Sequence, residues 1–143
     1  MKTWIYLLWT MLLVSGVSAQ TSEQGIREQP VWGAFAEPTL SPDGRDLVFV
    51  CQGDLWQVSA GGGVARRLTA MPGEESRPRI SPDGRYLAFQ TTVHGKADVA
   101  LLDRQGGSIR LLTVHSGEDR LSSWAPDGRT VLFSSERDGD FVP

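Results

Sequence analysis

Residue types that build covalent or metal-based sites are scarce in this sequence. Its 143 residues include one cysteine, Cys51, and two histidines, His94 and His115. A lone cysteine cannot form an internal disulfide, and Cys51 closely follows an apolar triplet, so we expect a small buried side chain there. The histidines lack the i, i+4 spacing of a zinc-binding helix and have no cysteine beside them. The sequence therefore predicts no metal and no cofactor.

Clusters of positive charge are lacking as well. The 14 basic and 17 acidic side chains give a formal charge of −3, and no basic run is longer than Arg66-Arg67. Proteins that bind nucleic acid usually carry a basic patch or stripe that meets the phosphates. We therefore expect no nucleic-acid partner.

A long apolar run occurs only near the start of the sequence, from Trp4 to Val14, interrupted by Thr10. It follows a lysine and precedes Val17-Ser18-Ala19, a pattern typical of a secretory signal peptide cleaved between Ala19 and Gln20. The run is shorter than the roughly 20 residues that cross a bilayer, which argues against an uncleaved anchor. We expect a periplasmic or secreted mature chain with no stable membrane anchor.

Three copies of one turn organise the remaining sequence, and their glycines lie 40 and 44 residues apart (84−44 and 128−84). Proline presets φ at the first corner of a type I turn, aspartate tolerates the second, and glycine takes the left-handed position. The turns are Pro42-Asp43-Gly44, Pro82-Asp83-Gly84 and Pro126-Asp127-Gly128, and each precedes an apolar triplet that ends in Phe49, Phe89 or Phe133.

The repeat continues after the first two triplets. Asp54 to Val58 recurs 44 residues later as Asp98 to Leu102, and each copy is followed by a glycine turn and then by Leu68-Thr69 or Leu112-Thr113. Each unit is thus predicted to form four short antiparallel strands. A period near 40 residues with this strand pattern indicates the blades of a β-propeller, which makes the predicted fold class all-β.

The predicted organisation has three parts. Residues 1–19 are the signal peptide, residues 20–36 are a lead-in with a possible closing strand, and residues 37–143 are an incomplete propeller. Its two and a half blades span about 37–69, 76–113 and 120–143. Propellers close with about four to eight blades, and repeat arrays need neighbours or caps. We therefore expect a fragment that does not fold alone and lacks further blades and domains of its own chain.

Several repeated side chains invite a functional interpretation, but a structural one is favoured. Paired carboxylates or a calcium site would fit Asp54 and Asp98, yet a single active site needs no copy in every blade. We expect them to bind turn amides, and Arg66, Arg67 and Arg110 to be solvated edge charges. The three phenylalanines are expected in the inter-blade core, and packing is favoured over a binding surface for Trp32, Trp56 and Trp124.

A hydrolytic triad is not indicated. His115 is close in sequence to Ser116, Glu118 and Asp119, but triads arise when distant segments converge on a scaffold. No Gly-x-Ser-x-Gly elbow occurs. Both histidines are expected in exposed loops, and we assign no catalytic residue.

The repeat Ser/Ala-Pro-Asp-Gly-Arg-x-(apolar)3, followed by Gly-Gly-x-x-Arg-x-Leu-Thr, resembles the WD-like repeat of TolB and tricorn-type propellers from about Glu37 to Pro143. Two stretches are similar to tricorn-like peptidases in particular: Leu112 to Asp119 leading to Trp124 to Gly128, and Val131 to Arg137. TolB carries an α/β domain ahead of its propeller, for which the sequence before the first repeat leaves no room.

The resemblance implies the non-catalytic N-terminal propeller segment of an exported tricorn-like serine peptidase, which binds or channels peptides. No catalytic position of that family has a counterpart among these residues. Two alternatives remain: a TolB-like periplasmic propeller that binds a protein partner, or the same propeller attached to another hydrolase, such as a prolyl-oligopeptidase-like or amidohydrolase enzyme.

Overall fold

The computed structural model describes residues 35–137, which form ten β-strands and, within that range, no helix. No membrane-spanning helix is therefore found among the described residues. The strands are β1 (Phe35–Leu40), β2 (Asp46–Cys51), β3 (Asp54–Ser59), β4 (Arg66–Arg67), β5 (Glu75–Ile80), β6 (Tyr86–Thr91), β7 (Asp98–Asp103), β8 (Ile109–Leu111), β9 (Asp119–Trp124) and β10 (Val131–Ser135).

The strands lie in three antiparallel sheets in which neighbours in sequence are neighbours in space. The first sheet has the order β1-β2-β3-β4, the second has the order β5-β6-β7-β8, and the third contains β9 and β10. Two four-stranded meanders and part of a third confirm the prediction of an all-β, partial propeller. Of the lead-in with a possible closing strand expected over residues 20–36, residues 35 and 36 belong to β1 and the rest lies outside the described residues. The third strand expected near Asp140 also lies outside them.

Strand bounds differ from the expected ones by a few residues. The first strand of each sheet begins one or two residues earlier than expected, at Phe35, Glu75 and Asp119. The fourth strands β4 and β8 end before the two Leu-Thr pairs. The Leu68 amide nevertheless donates a hydrogen bond to the carbonyl of Leu55 on β3 at 2.7 Å. The Leu112 amide likewise donates to the carbonyl of Val99 on β7 at 2.7 Å. Pairing thus continues into the Leu-Thr segments although strand geometry does not.

The second sheet is buried on both faces. Side chains alternate along a strand, so Leu87 and Phe89 face the first sheet whereas Ala88 faces the third. The first core comprises Val48, Leu55, Leu87, Phe89, Ala100 and Leu102, and the second comprises Ala88, Val99, Leu101 and Leu121. Burial on both faces explains why the triplet of the second sheet, Leu87-Ala88-Phe89, is apolar throughout.

The phenylalanines of the three triplets differ in burial. Phe89 is fully buried and Phe49 is 8% exposed, with its ring edge-on to that of Phe35 at 5.3 Å between centroids. Phe133 is 40% exposed among the described residues, beneath the guanidinium of Arg137, so its place in the inter-blade core stays a prediction. It lies on β10, which is the last strand described and has no described neighbour on its outer side.

Candidate functional site

The first strands of the first and second sheets each contain a residue with an unusual backbone conformation. The ladders between β1 and β2 and between β5 and β6 each contain a bulge, in which two residues of the first strand face one phenylalanine. Glu37 and Arg77, which each precede a proline in these bulges, have φ of 50°. A left-handed non-glycine residue costs on the order of 1–3 kcal/mol, and such strain is concentrated at functional sites in proteins.

The two bulges meet. The Arg77 amide donates a hydrogen bond to the Glu37 carboxylate, which joins the first and second sheets at equivalent positions 40 residues apart. Both side chains are exposed, and the Arg77 guanidinium has no ion-pair partner among residues 35–137. Because β1 and β5 are the free edges of their sheets and contact each other, they correspond to the strands that line a propeller's central channel.

The Pro-Asp-Gly turns lie at the other end of these strands. Gly44, Gly84 and Gly128 have φ of 71°, 76° and 66°, and each glycine amide donates to the carbonyl three residues earlier. Hydrogen bonds from the hydroxyls of Ser41 and Ser81 lower the pKa of Asp43 and Asp83. The aspartates therefore stabilise their own turns.

The first junction, between the first and second sheets, contains buried polar groups. Thr69 accepts a hydrogen bond from the Leu55 amide at 2.9 Å and donates one to Glu75 Oε2 at 2.8 Å. Asp54 pairs with Arg67 at 2.6 Å. Burial, followed by the charge of Asp54, raises the pKa of Glu75.

The second junction, between the second and third sheets, repeats this arrangement. Thr113 accepts a hydrogen bond from the Val99 amide at 2.9 Å. Asp119 occupies the position that Glu75 has in the first junction. Arg137 lies 3.2 Å from Asp119. Burial favours a higher pKa for Asp119, but hydrogen bonds from Ser135, Thr113 and Arg137 outweigh it and hold the pKa below its usual value.

One expectation about charged residues is wrong. Asp54 and Asp98 are not held by turn amides, because each is ion-paired: Asp54 with Arg67, and Asp98 with Lys96 and His94. Arg67 is exposed on the edge strand β4, as expected, although its guanidinium is paired with Asp54. Arg66 and Arg110 are exposed, as expected.

The histidines do not converge on a nucleophile within the described part of the chain. His94 Nδ1 lies 3.1 Å from Asp98 Oδ2 at the second junction, and its side chain is 46% exposed. His115 contacts Ser116 and the Gly117 amide at 3.4 Å each. Residues 35–137 also contain no group of three or more metal-ligating side chains.

Two tryptophans hold backbone rather than form a binding surface. Trp56 Nε1 donates to Cys51 O at 3.2 Å, and Trp124 Nε1 donates to Arg79 O at 2.8 Å, which ties the third sheet to the second. Both rings are partly buried, and Cys51 is buried as expected. Trp32 lies outside the described residues.

Sequence reasoning missed the junction carboxylates Glu75 and Asp119. A signal was present, because Gly73-Glu74-Glu75 recurs 44 residues later as Gly117-Glu118-Asp119 (117−73). A Cβ on Gly73 would lie 2.9 Å from the backbone of Thr92 and Val93, so glycine is required where the chain passes between sheets.

Comparison with known proteins agrees with this architecture. The sequence model described as the tricorn protease N-terminal β-propeller domain matches residues 33–142. The uncharacterized peptidase YuxL of Bacillus subtilis (strain 168) is 40% identical over 62 residues, which cover 40% of this chain and 9% of YuxL.

Solved structures give the same result. The tricorn protease aligns with a TM-score of 0.63 and 25% identity over 71% of this chain and 11% of its own. A TolB protein from Agrobacterium tumefaciens aligns with a TM-score of 0.63 and 30% identity over 74% of this chain and 39% of its own. The chain thus spans less than half the length of each of these relatives. The match over residues 33–142, more than half of the sequence, shows that the chain belongs to the family of tricorn protease N-terminal β-propeller domains.

Proposed function

We propose that this chain is a non-catalytic propeller segment of an exported, tricorn-like serine peptidase, in which it binds peptides or channels them to a catalytic domain elsewhere in the protein. The observation that carries the proposal is the family match over residues 33–142, supported by the identity to the peptidase YuxL. Export is supported by the leader-like sequence of residues 1–19.

The free edges of β1 and β5 are the proposed peptide contact. Extended peptides bind unpaired strand edges through main-chain hydrogen bonds, and nearby side chains add selectivity. The exposed Glu37 and Arg77 side chains lie at these edges, on backbone that is already held in a strained conformation. A preorganised edge loses less conformational entropy when a peptide binds.

The first test is to treat the full-length protein with a fluorophosphonate probe and to map the labelled residue by mass spectrometry. We expect one labelled serine outside residues 1–143, together with hydrolysis of unstructured peptides. A full-length protein that takes no label and cleaves no peptide would contradict the peptidase proposal.

The role of the edge is tested separately with Arg77→Gln in the full-length enzyme. Removing a group that contacts the peptide before and during reaction raises KM and leaves kcat nearly unchanged. The matched control is Arg66→Gln, because Arg66 is also exposed but lies on β4, at the opposite edge of the first sheet. Equal KM values for the two variants would exclude a contribution of the Arg77 side chain to peptide binding.

A TolB-like binding propeller is the second candidate, favoured by the 30% identity to the A. tumefaciens protein over 74% of this chain. It predicts a full-length protein of a few more blades with no reactive serine. A labelled serine in a prolyl-oligopeptidase-like context, or activity abolished by a chelator, would instead favour the third alternative of a propeller attached to another hydrolase.

A further inference from the structure

The two junctions carry different balances of charge. In the first junction the carboxylates of Asp54 and Glu75 face one cation, Arg67. In the second junction two carboxylates are matched by at least as many cations, since Asp98 pairs with Lys96 and His94, and Asp119 pairs with Arg137. The first junction is thus one positive charge short.

The surroundings of Glu75 leave one of its oxygens without a partner. Glu75 is 1% exposed, and its Oε1 accepts no hydrogen bond among residues 35–137. The one hydroxyl proton of Thr69 is directed to Oε2, and Arg67 is engaged by Asp54 and by the Thr69 carbonyl at 2.7 Å. An unpartnered buried carboxylate oxygen is costly unless the group binds a proton or its other oxygen meets a cation. Among the residues described, Asp119 Oδ1 is also unpartnered, but Asp119 Oδ2 meets Arg137, whereas Glu75 has no cation of its own.

The groups that face Glu75 from the neighbouring elements are few. Asp54 comes from β3, Arg67 from β4 and Thr69 from the segment after β4, whereas the adjacent Glu74 is exposed. None of them supplies a second positive charge.

We propose that the first junction holds a proton between Glu75 and Asp54, and that this proton makes the contact between the first and second sheets dependent on pH. The neutral carboxyl of Glu75 uses its unpartnered oxygen to donate a hydrogen bond to the Asp54 carboxylate. When Glu75 ionises, that bond is replaced by repulsion between two carboxylates in a buried site.

The direction of the pH dependence follows from linkage. The pKa of Glu75 is raised by burial and then by Asp54, so the folded state binds the proton more tightly than the unfolded state. The corresponding stability is present at low pH and is lost as pH rises through the raised pKa. The second junction responds in the opposite direction, because the pKa of Asp119 is lowered and its contribution is lost as pH falls.

Amide hydrogen exchange in the full-length protein separates the junctions. The Leu55 amide reports on the first junction because it donates to Thr69, and the Val99 amide reports on the second because it donates to Thr113. Their protection ratio cancels the general rise of exchange with pH. We expect the ratio of Leu55 to Val99 protection to fall by up to about tenfold per pH unit between the ordinary glutamate pKa and the raised Glu75 pKa, and to level off above the raised pKa.

Three variants make the test specific. Glu75→Gln should leave the ratio independent of pH over that range, whereas Asp119→Asn should leave the Leu55 dependence in place. If Glu75→Gln does not fold, Asp54→Asn serves instead, and it should move the fall in protection to lower pH by removing a charge that retains the proton. A ratio that is constant with pH in the unmodified protein, or that falls equally in Glu75→Gln, would overturn the proposal.

Discussion

The hydroxyl of Thr69 joins two neighbouring sheets. Its oxygen accepts the Leu55 amide of the first sheet, and its proton goes to the Glu75 carboxylate of the second sheet. Thr69 is 2% exposed, so neither partner gains water if the hydroxyl is removed. Both partners would be left unsatisfied in a buried site.

Thr69→Val is therefore expected to destabilise the fold by about 1–3 kcal/mol, the cost of leaving a buried polar group unpaired. Urea unfolding of the full-length protein, followed at the propeller transition, measures this. Thr130→Val is the matched control, because the Thr130 hydroxyl also bonds a carboxylate but is exposed. Its cost should stay within about 0.5 kcal/mol. Similar losses for the two variants would argue against a structural role for the buried hydroxyl.

The sequence predicted Leu-Thr as a repeated strand end but did not predict the hydroxyl's partner. A repeated threonine is compatible with exposure at a strand edge, and only the path of the chain into the next sheet brings Glu75 against Thr69. For the same reason the partners of Asp54 and Asp98 were not predicted. Their cations lie on β4 and in the β6–β7 loop, at spacings that differ between the sheets.

At the scale of single elements, the third turn differs from the first two. The hydroxyls of Ser41 and Ser81 each donate a hydrogen bond to the aspartate of the turn. Each hydroxyl oxygen also accepts a hydrogen bond from the backbone amide five residues later, at 2.9 Å for Ser41 and 2.8 Å for Ser81. In the third turn the serine is replaced by Ala125, and the Thr130 hydroxyl donates to Asp127 at 3.0 Å instead. The threonine restores one of the two hydrogen bonds.

Ala125→Ser should rebuild the missing contact. The added hydroxyl is expected to lower the pKa of Asp127 further below its usual value, because the equivalent serine is the largest influence on Asp83. An NMR titration of the Asp127 carboxyl measures the shift, with Asp83 as the internal reference. An unchanged or raised Asp127 pKa would show that the third turn is not equivalent to the others.

The glycine before the second sheet is a separate element-scale requirement. Gly73 has φ of 117°, and an added Cβ would meet the backbone of Thr92 and Val93 at 2.9 Å. Gly95 has φ of 79° but no atom within 4 Å of the corresponding position. Substituting each of the two glycines therefore distinguishes the cost of backbone strain, which both positions share, from the cost of steric overlap, which only Gly73 would add.

Gly95→Ala is expected to cost about 1–2 kcal/mol, the penalty of a left-handed residue with a Cβ. Gly73→Ala should cost clearly more, since the same strain is joined by overlap with rigid backbone. Thermal or urea unfolding of the two variants gives the comparison. A smaller loss for Gly73→Ala would mean that the segment between the sheets can move aside.

Strands and turns were predictable because their signals are local. The proline–glycine turns and the apolar triplets specify hairpins within a few residues of chain. The bulges of β1 and β5 were not predictable, since Glu37 and Arg77 are not residues that favour a positive φ. Contacts between sheets hold that backbone in place.

At the scale of the whole molecule, the sheets stack through apolar faces, and the described residues leave two such faces uncovered. One is a groove of about 350 Å³ on the first sheet, lined by Phe35, Ala36, Pro38, Leu47 and Phe49. The other is the face of the third sheet that carries Leu132 of β10, whose side chain is 49% exposed. In the second sheet the positions of Leu47 and Phe49 are taken by Leu87 and Phe89, which the first sheet covers.

The stacking predicts unequal costs for equivalent phenylalanines. Phe89→Ala should destabilise the described sheets by about 3–5 kcal/mol, as expected for a fully buried ring. Phe133→Ala in the full-length protein should cost as much only if a further strand beside β10 covers the ring there. A loss much smaller than that of Phe89→Ala would show that Phe133 remains exposed in the whole protein.

The bond between Thr69 and Glu75 spans only six residues of sequence, and so does the pair Thr113 and Asp119. One of the links between adjacent sheets is therefore encoded in a single short continuous stretch of the gene, whereas others, such as Trp124 to Arg79, join residues distant in sequence. A duplication of about 44 codons that includes this stretch would copy a sheet together with the means of attaching it. Such a gene can gain or lose units without evolving a new interface each time.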